Sequence, residues 1–114
     1  MGNLDRSLDG LLDLNGLILV VDELAGHWVK FDVWQVPASV ERPHGLSYSL
    51  TLHAASGERL AGFDNAHKVK GSKETQDHIH RFKTVKPYEY KDAAALLEDF
   101  WAVVDVILKE RGIL

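Results

Sequence analysis

Hydrophobic positions change their period along the chain. Leu4, Leu8, Leu11 and Leu12 recur at helical spacing, with Asn3 as a cap and Asn15-Gly16 as a stop. That pattern predicts a short N-terminal helix docked by its leucine stripe. Leu17 to Glu23 is rich in β-branched and aliphatic residues and reads as a strand. Leu24-Ala25-Gly26 turns it into a second strand, His27 to Val36, with Val29, Phe31 and Val33 on one face and Lys30 and Asp32 on the other. Trp28 and Trp34 share the polar face, which predicts partial cover there and marks a candidate homodimer surface.

Pro37 to Pro43 reads as a loop, because proline has no backbone donor. Leu46, Tyr48, Leu50 and Leu52 alternate with Ser47, Ser49 and Thr51, the pattern of a half-buried strand. Ala55-Ser56-Gly57 connects it tightly to a fourth strand, Glu58 to Phe63. Gly71 and its charged neighbours predict a mobile loop from about Ala66 to Thr75, followed by a fifth extended segment, His78 to Thr84, closed by Pro87. Asp92 then caps a long helix whose stripe is Leu96, Phe100, Val103, Val104 and Ile107, with Gly112 at its end. The expected fold is a single α+β domain over residues 1–114. It comprises an antiparallel meander of about five strands, a short N-terminal helix, and a long C-terminal helix packed on one face.

Composition narrows the chemistry. The chain has no cysteine, so disulfides, thiolate zinc sites and cysteine nucleophiles are excluded. The apolar run from Leu17 to Val21 is too short for a membrane span or an export signal, and cytoplasm is the expected compartment. The formal charge is −4, yet Lys68, Lys70, Lys73, Arg81, Lys83, Lys86 and Lys91 outnumber Glu74, Asp77 and Glu89, so this stretch carries +4. A local cationic field attracts phosphates whatever the net charge, although a lysine-rich loop is often only a solvated surface.

Within that stretch lie His67, His78 and His80, with Asp64, Asn65 and Asp77 nearby and Arg81 immediately after. On a strand, alternation puts His78 and His80 on one face, where two ring nitrogens can converge. Three readings compete. The pair binds a divalent metal with His67, Asp64 or Asp77 as a further ligand, and an open position makes that site a hydrolase. Alternatively, no cofactor is involved and the two imidazoles act as general acid and base in phosphodiester cleavage, with Arg81 and nearby lysines stabilising the phosphorane. In the third reading the cluster is structural, in a non-catalytic binding module. His27, His44 and His53 are isolated, Phe100 and Trp101 follow core spacing, and no phosphate loop, dinucleotide fingerprint or metalloprotease motif is present.

Five short motifs occur in order: Phe63-Asp64-Asn65, a basic loop, Asp77-His78-Ile79-His80-Arg81, Pro87-Tyr88-Glu89-Tyr90 and Leu96-Leu97-Glu98-Asp99-Phe100. Their order and spacing resemble the TumE-type toxins of bacterial toxin–antitoxin systems, over roughly Leu46 to Leu108. The resemblance implies a growth-inhibiting toxin held in check by an antitoxin with a helix-turn-helix domain, and RNA is the expected target by analogy with toxins of that size. By position Asp64, Asn65, His78 and His80 match the family's recurrent polar positions, with Tyr88 next, and those four are the expected catalytic set. Arg81, Lys83, Lys68 and Tyr88 become candidates for substrate contact. The loop after Asn65 is long and lysine-rich, a departure from the family pattern that leaves His67 and its lysines least securely assigned.

Overall fold

The computed structural model describes residues 7–40, 42–65 and 77–114. Eight elements follow in order: α1 (Leu8–Asp13), β1 (Ile18–Asp22), β2 (His27–Gln35), β3 (Leu46–His53), β4 (Arg59–Asp64), β5 (His78–Arg81), β6 (Thr84–Pro87) and α2 (Ala93–Glu110). The strands form one antiparallel sheet in sequence order, β1-β2-β3-β4-β5-β6, each paired with its chain neighbour. No helix is long and apolar enough to cross a membrane among the described residues.

Alternation decides what each face holds. Val29, Phe31 and Val33 on β2 pair with Leu52, Leu50 and Tyr48 on β3, and Ala61 and Phe63 on β4 continue those rows. All are buried, and α2 closes over them with Leu96, Phe100, Val104 and Ile107. Phe100 meets Phe31 and Phe63 edge-on at ring separations of 5.8 and 6.1 Å, an arrangement that aromatic quadrupoles favour. Leu11 of α1 joins the same core, so both helices lie on one side, and among the described residues the opposite sheet face carries no helix.

The start of α2 is held by two side-chain caps. Asp92 accepts from Ala95 N–H at 2.7 Å, and Ser7, just before α1, accepts from Ala94 N–H at 2.8 Å. Two of the orphan donors of α2 are thereby satisfied, one by the N-terminal segment. Asn15 accepts from Val33 N–H at 2.9 Å and pins the exit of α1 to β2. Asn3 and Leu4 of the expected N-terminal helix lie outside the described residues.

The expected fifth strand is a hairpin, making six strands. His78 to Arg81 pairs with Thr84 to Pro87 through the two-residue loop Phe82-Lys83. Neither loop residue is a usual turn former, so the run reads as continuous. Phe82 closes the turn with φ of +53°, the left-handed region in which glycine or asparagine is normal. Pro87 sits at the end of an edge strand, where its missing donor is harmless. The loop expected at Ala66 to Thr75, with His67 and Lys68, lies outside the described residues.

Candidate functional site

Register carries the histidines onto the helix-free face. His78 pairs with Asp64, Asp64 with Ser49, and Ser49 with Asp32. One step along, His80 pairs with Gly62, Gly62 with Thr51, and Thr51 with Lys30. Paired residues share a face, so these two adjacent rows stand together on the side away from α2. The two imidazole centres are 6.4 Å apart.

Asp64 reaches diagonally from its own row to the next. Its Oδ2 lies 2.8 Å from Nε2 of His80, while its Oδ1 is buried with no hydrogen-bond partner among the described residues. Asp64 and His78 are buried and His80 is half-buried. A buried carboxylate oxygen without a donor is costly, which favours a site that receives a proton-bearing or cationic group. A neutral His80 that donates from Nε2 keeps its basic lone pair on Nδ1. The arrangement of carboxylate, imidazole and second imidazole is suited to proton transfer.

Other expected site residues are placed elsewhere. Asn65 is buried and spends both amide atoms on backbone: Nδ2 donates to Leu46 O at 2.6 Å and Oδ1 accepts from Tyr48 N–H at 2.9 Å. Its side chain thus extends the β3 ladder past the last pair of β4. Arg81 faces the helix side with Ile79, and its guanidinium is held by Glu110 of α2. Tyr88 packs edge-on against Phe63 in the core and donates to Asp99 Oδ2 at 2.6 Å. Lys83 is exposed in the hairpin loop. A cleft of about 510 Å³ lined by Ile79, Arg81, Phe82, Thr84 and Lys86 opens on the helix side of the hairpin, the opposite face from the histidine pair. Among the described residues no group of three or more His, Asp or Glu is arranged to hold a metal, and the proposed ligand His67 is outside that set.

Arg59, unnoticed in the sequence, stands on the histidine face. It pairs with His53, and its Cδ lies 3.8 Å from the point a Cβ on Gly62 would occupy. The arginine stem therefore lies beside Gly62 in the His80 row. Alternation from Asp64 back through Gly62 points to Leu60 instead; the register shift between Leu52 and His53 brings Arg59 to this face, and nothing in the sequence marks it.

Buried ionisable groups also brace the helix side. Tyr48 donates to Asp77 Oδ2 at 2.6 Å, just ahead of His78. Burial first, then that hydrogen bond, pushes the Tyr48 phenol far above its ordinary range; burial and Asp99 do the same to Tyr88. At the other end His27 is not isolated. Its Nδ1–H donates to Asp22 at 2.7 Å and its Nε2 accepts from Arg111 Nε–H at 2.9 Å, tying the β1–β2 turn to the end of α2. The His27 hydrogen bond holds the Asp22 carboxyl below its ordinary value, against the opposing pull of burial and with help from the N–H groups of Ala25 and Leu24. His53 stacks on Trp28 at 4.1 Å, so Trp28 is partly covered while Trp34 is 59 % exposed.

A family model described as Toxin TumE matches residues 16–108. No curated protein and no solved structure matches the chain. The matched span runs from the start of β1 through most of α2 and contains both histidine rows.

Proposed function

The chain belongs to the TumE toxin family, and from that premise we propose that it arrests growth by cleaving RNA at the His78–His80–Asp64 site. The family implies an antitoxin partner. In this reading the partner is a small protein with a helix-turn-helix domain and both act in the cytoplasm.

The single observation that carries the reading is the 2.8 Å contact between His80 Nε2 and Asp64 Oδ2, with His78 beside it on the same face. His80 accepts the ribose 2′-hydroxyl proton at Nδ1, and Asp64 stabilises the imidazolium that forms. The 2′-oxygen attacks phosphorus, and the departing 5′-oxygen takes a proton from His78. Arg59 supplies positive charge to the phosphorane oxygens. Lys83 and Lys68 steer the polyanion at longer range. Products are a 2′,3′-cyclic phosphate and a 5′-hydroxyl.

The test is induction of wild type and of the His78→Ala, His80→Ala double variant in a bacterium, with growth and RNA integrity followed together. Growth arrest and cyclic-phosphate ends with the wild type alone are the expected result. Equal, harmless expression of both removes the proposal. Cleavage that stops on prolonged chelation and returns with a divalent ion would replace it with metal-dependent hydrolysis.

A further inference from the structure

The two edges of the sheet are built differently. β6 carries Lys86 and Pro87, a charge and a missing donor that both discourage pairing with another chain. β1 has neither before Asp22, and its Ile18 and Val20 are 57 % and 61 % exposed. An apolar edge with no strand beside it among the described residues is a template for a further strand.

The register shows which backbone groups it offers. Phe31 N–H donates to Leu17 O, and the pairing continues as Ile18 with Lys30, Leu19 with Val29 and Val20 with Trp28. Hydrogen-bonded pairs alternate along an antiparallel ladder, so the Leu17 carbonyl and the peptide groups of Leu19 face inward while those of Ile18 and Val20 point outward.

From this geometry we infer that two copies of the chain pair β1 against β1 about a two-fold axis through Leu19, joining their six-stranded sheets into one. Ile18 of one copy then exchanges both hydrogen bonds with Val20 of the other, and Val20 with Ile18. Every outward group of the two residues is satisfied. The β-branched side chains meet on the helix-free face beside Trp28, and Leu19 meets its own copy on the helix face. No like charges are brought together, because Leu17 to Val21 carries none. This self-complementarity favours a second copy, since an antitoxin strand requires no such symmetry. β5 is four strand spacings away, about 19 Å, so the dimer leaves the histidine site uncovered.

Sedimentation of the full chain between about 1 and 100 µM tests this, a range suited to an interface of modest area. The expected result is a concentration-dependent dimer. Val20→Lys, at an exposed position, and Ile18→Pro, which removes an outward N–H, should each raise its dissociation constant at least about tenfold. Both should retain the wild-type far-ultraviolet circular dichroism, and Val85→Lys beside the other edge should dimerise like wild type. A wild type that stays monomeric throughout overturns the inference, as does a dimer indifferent to both β1 variants. Loss of antitoxin binding in the β1 variants with an unchanged dimer also overturns it, and assigns the edge to a partner strand.

Discussion

Asp64 and Asn65 are adjacent, yet strand alternation gives them separate work. Asp64 faces the imidazoles; Asn65 turns to the other side and mends the backbone of β3. Asp64→Asn preserves size but replaces the carboxylate that contacts His80 and, in the proposed mechanism, stabilises its cation. RNA cleavage is expected to fall by about 10²–10⁴-fold with little change in the melting curve. Asn65→Ala has the reverse signature. It orphans a buried N–H and a buried carbonyl, at about 1–3 kcal/mol each. The urea midpoint should drop accordingly, while residual folded protein keeps its cleavage rate. Measuring both quantities on both variants separates a proton-transfer residue from a structural one. An Asp64→Asn protein with undiminished activity would remove the carboxylate from the mechanism.

At the level of strands and helices, β4 matters most because it presents Phe63 to the core and Asp64 and Gly62 to the site. A Cβ on Gly62 would stand 3.2 Å from Thr51 Cγ2 and 3.3 Å from the Leu50 carbonyl oxygen. Gly62→Ala is therefore expected to cost about 1 kcal/mol, the crowding outweighing the entropy gained from a stiffer unfolded chain. Arg59 Cδ, at 3.8 Å, makes only ordinary contact with the added methyl, so cleavage by the folded protein should hold while stability falls, as paired chemical denaturation and RNA-cleavage assays would show. Most elements were legible from periodicity, since Leu46 to Leu52 alternates cleanly and the α2 stripe is unbroken. The β5–β6 turn was not, because Phe82-Lys83 carries no turn chemistry, and neither was the Asp22–His27–Arg111 link, whose members are far apart in sequence. The shared face of His78 and His80 followed from spacing alone. The diversion of Arg81 to Glu110 did not, because it depends on where α2 ends.

Across the whole molecule, one sheet face is sealed by both helices and the other carries the polar rows, so the core and the proposed chemistry draw on different residues. The sealed side gives the protein an alkaline limit. The Tyr48 phenol resists ionisation in the folded state, whereas the unfolded chain releases its proton near the ordinary tyrosine value. Stability is fully present below about pH 10 and declines above it, by about 1.4 kcal/mol per pH unit for this group. Tyr88 steepens the slope in the same direction. Urea titrations between pH 8 and 11 should show the decline, and Tyr48→Phe should make it shallower. An identical slope in that variant would place the sensitivity elsewhere.

The hairpin that carries His80 turns on Phe82, held at φ +53°. A left-handed backbone suits a bulky side chain poorly, by roughly 1–2 kcal/mol. The chain thus keeps tension in the corner next to the strand that carries His80. Phe82→Gly is expected to relax the corner and raise the thermal midpoint by a few degrees. If its cleavage rate holds steady, that tension is mere inheritance; if the rate declines as the protein grows sturdier, the bent corner is what keeps His80 on target.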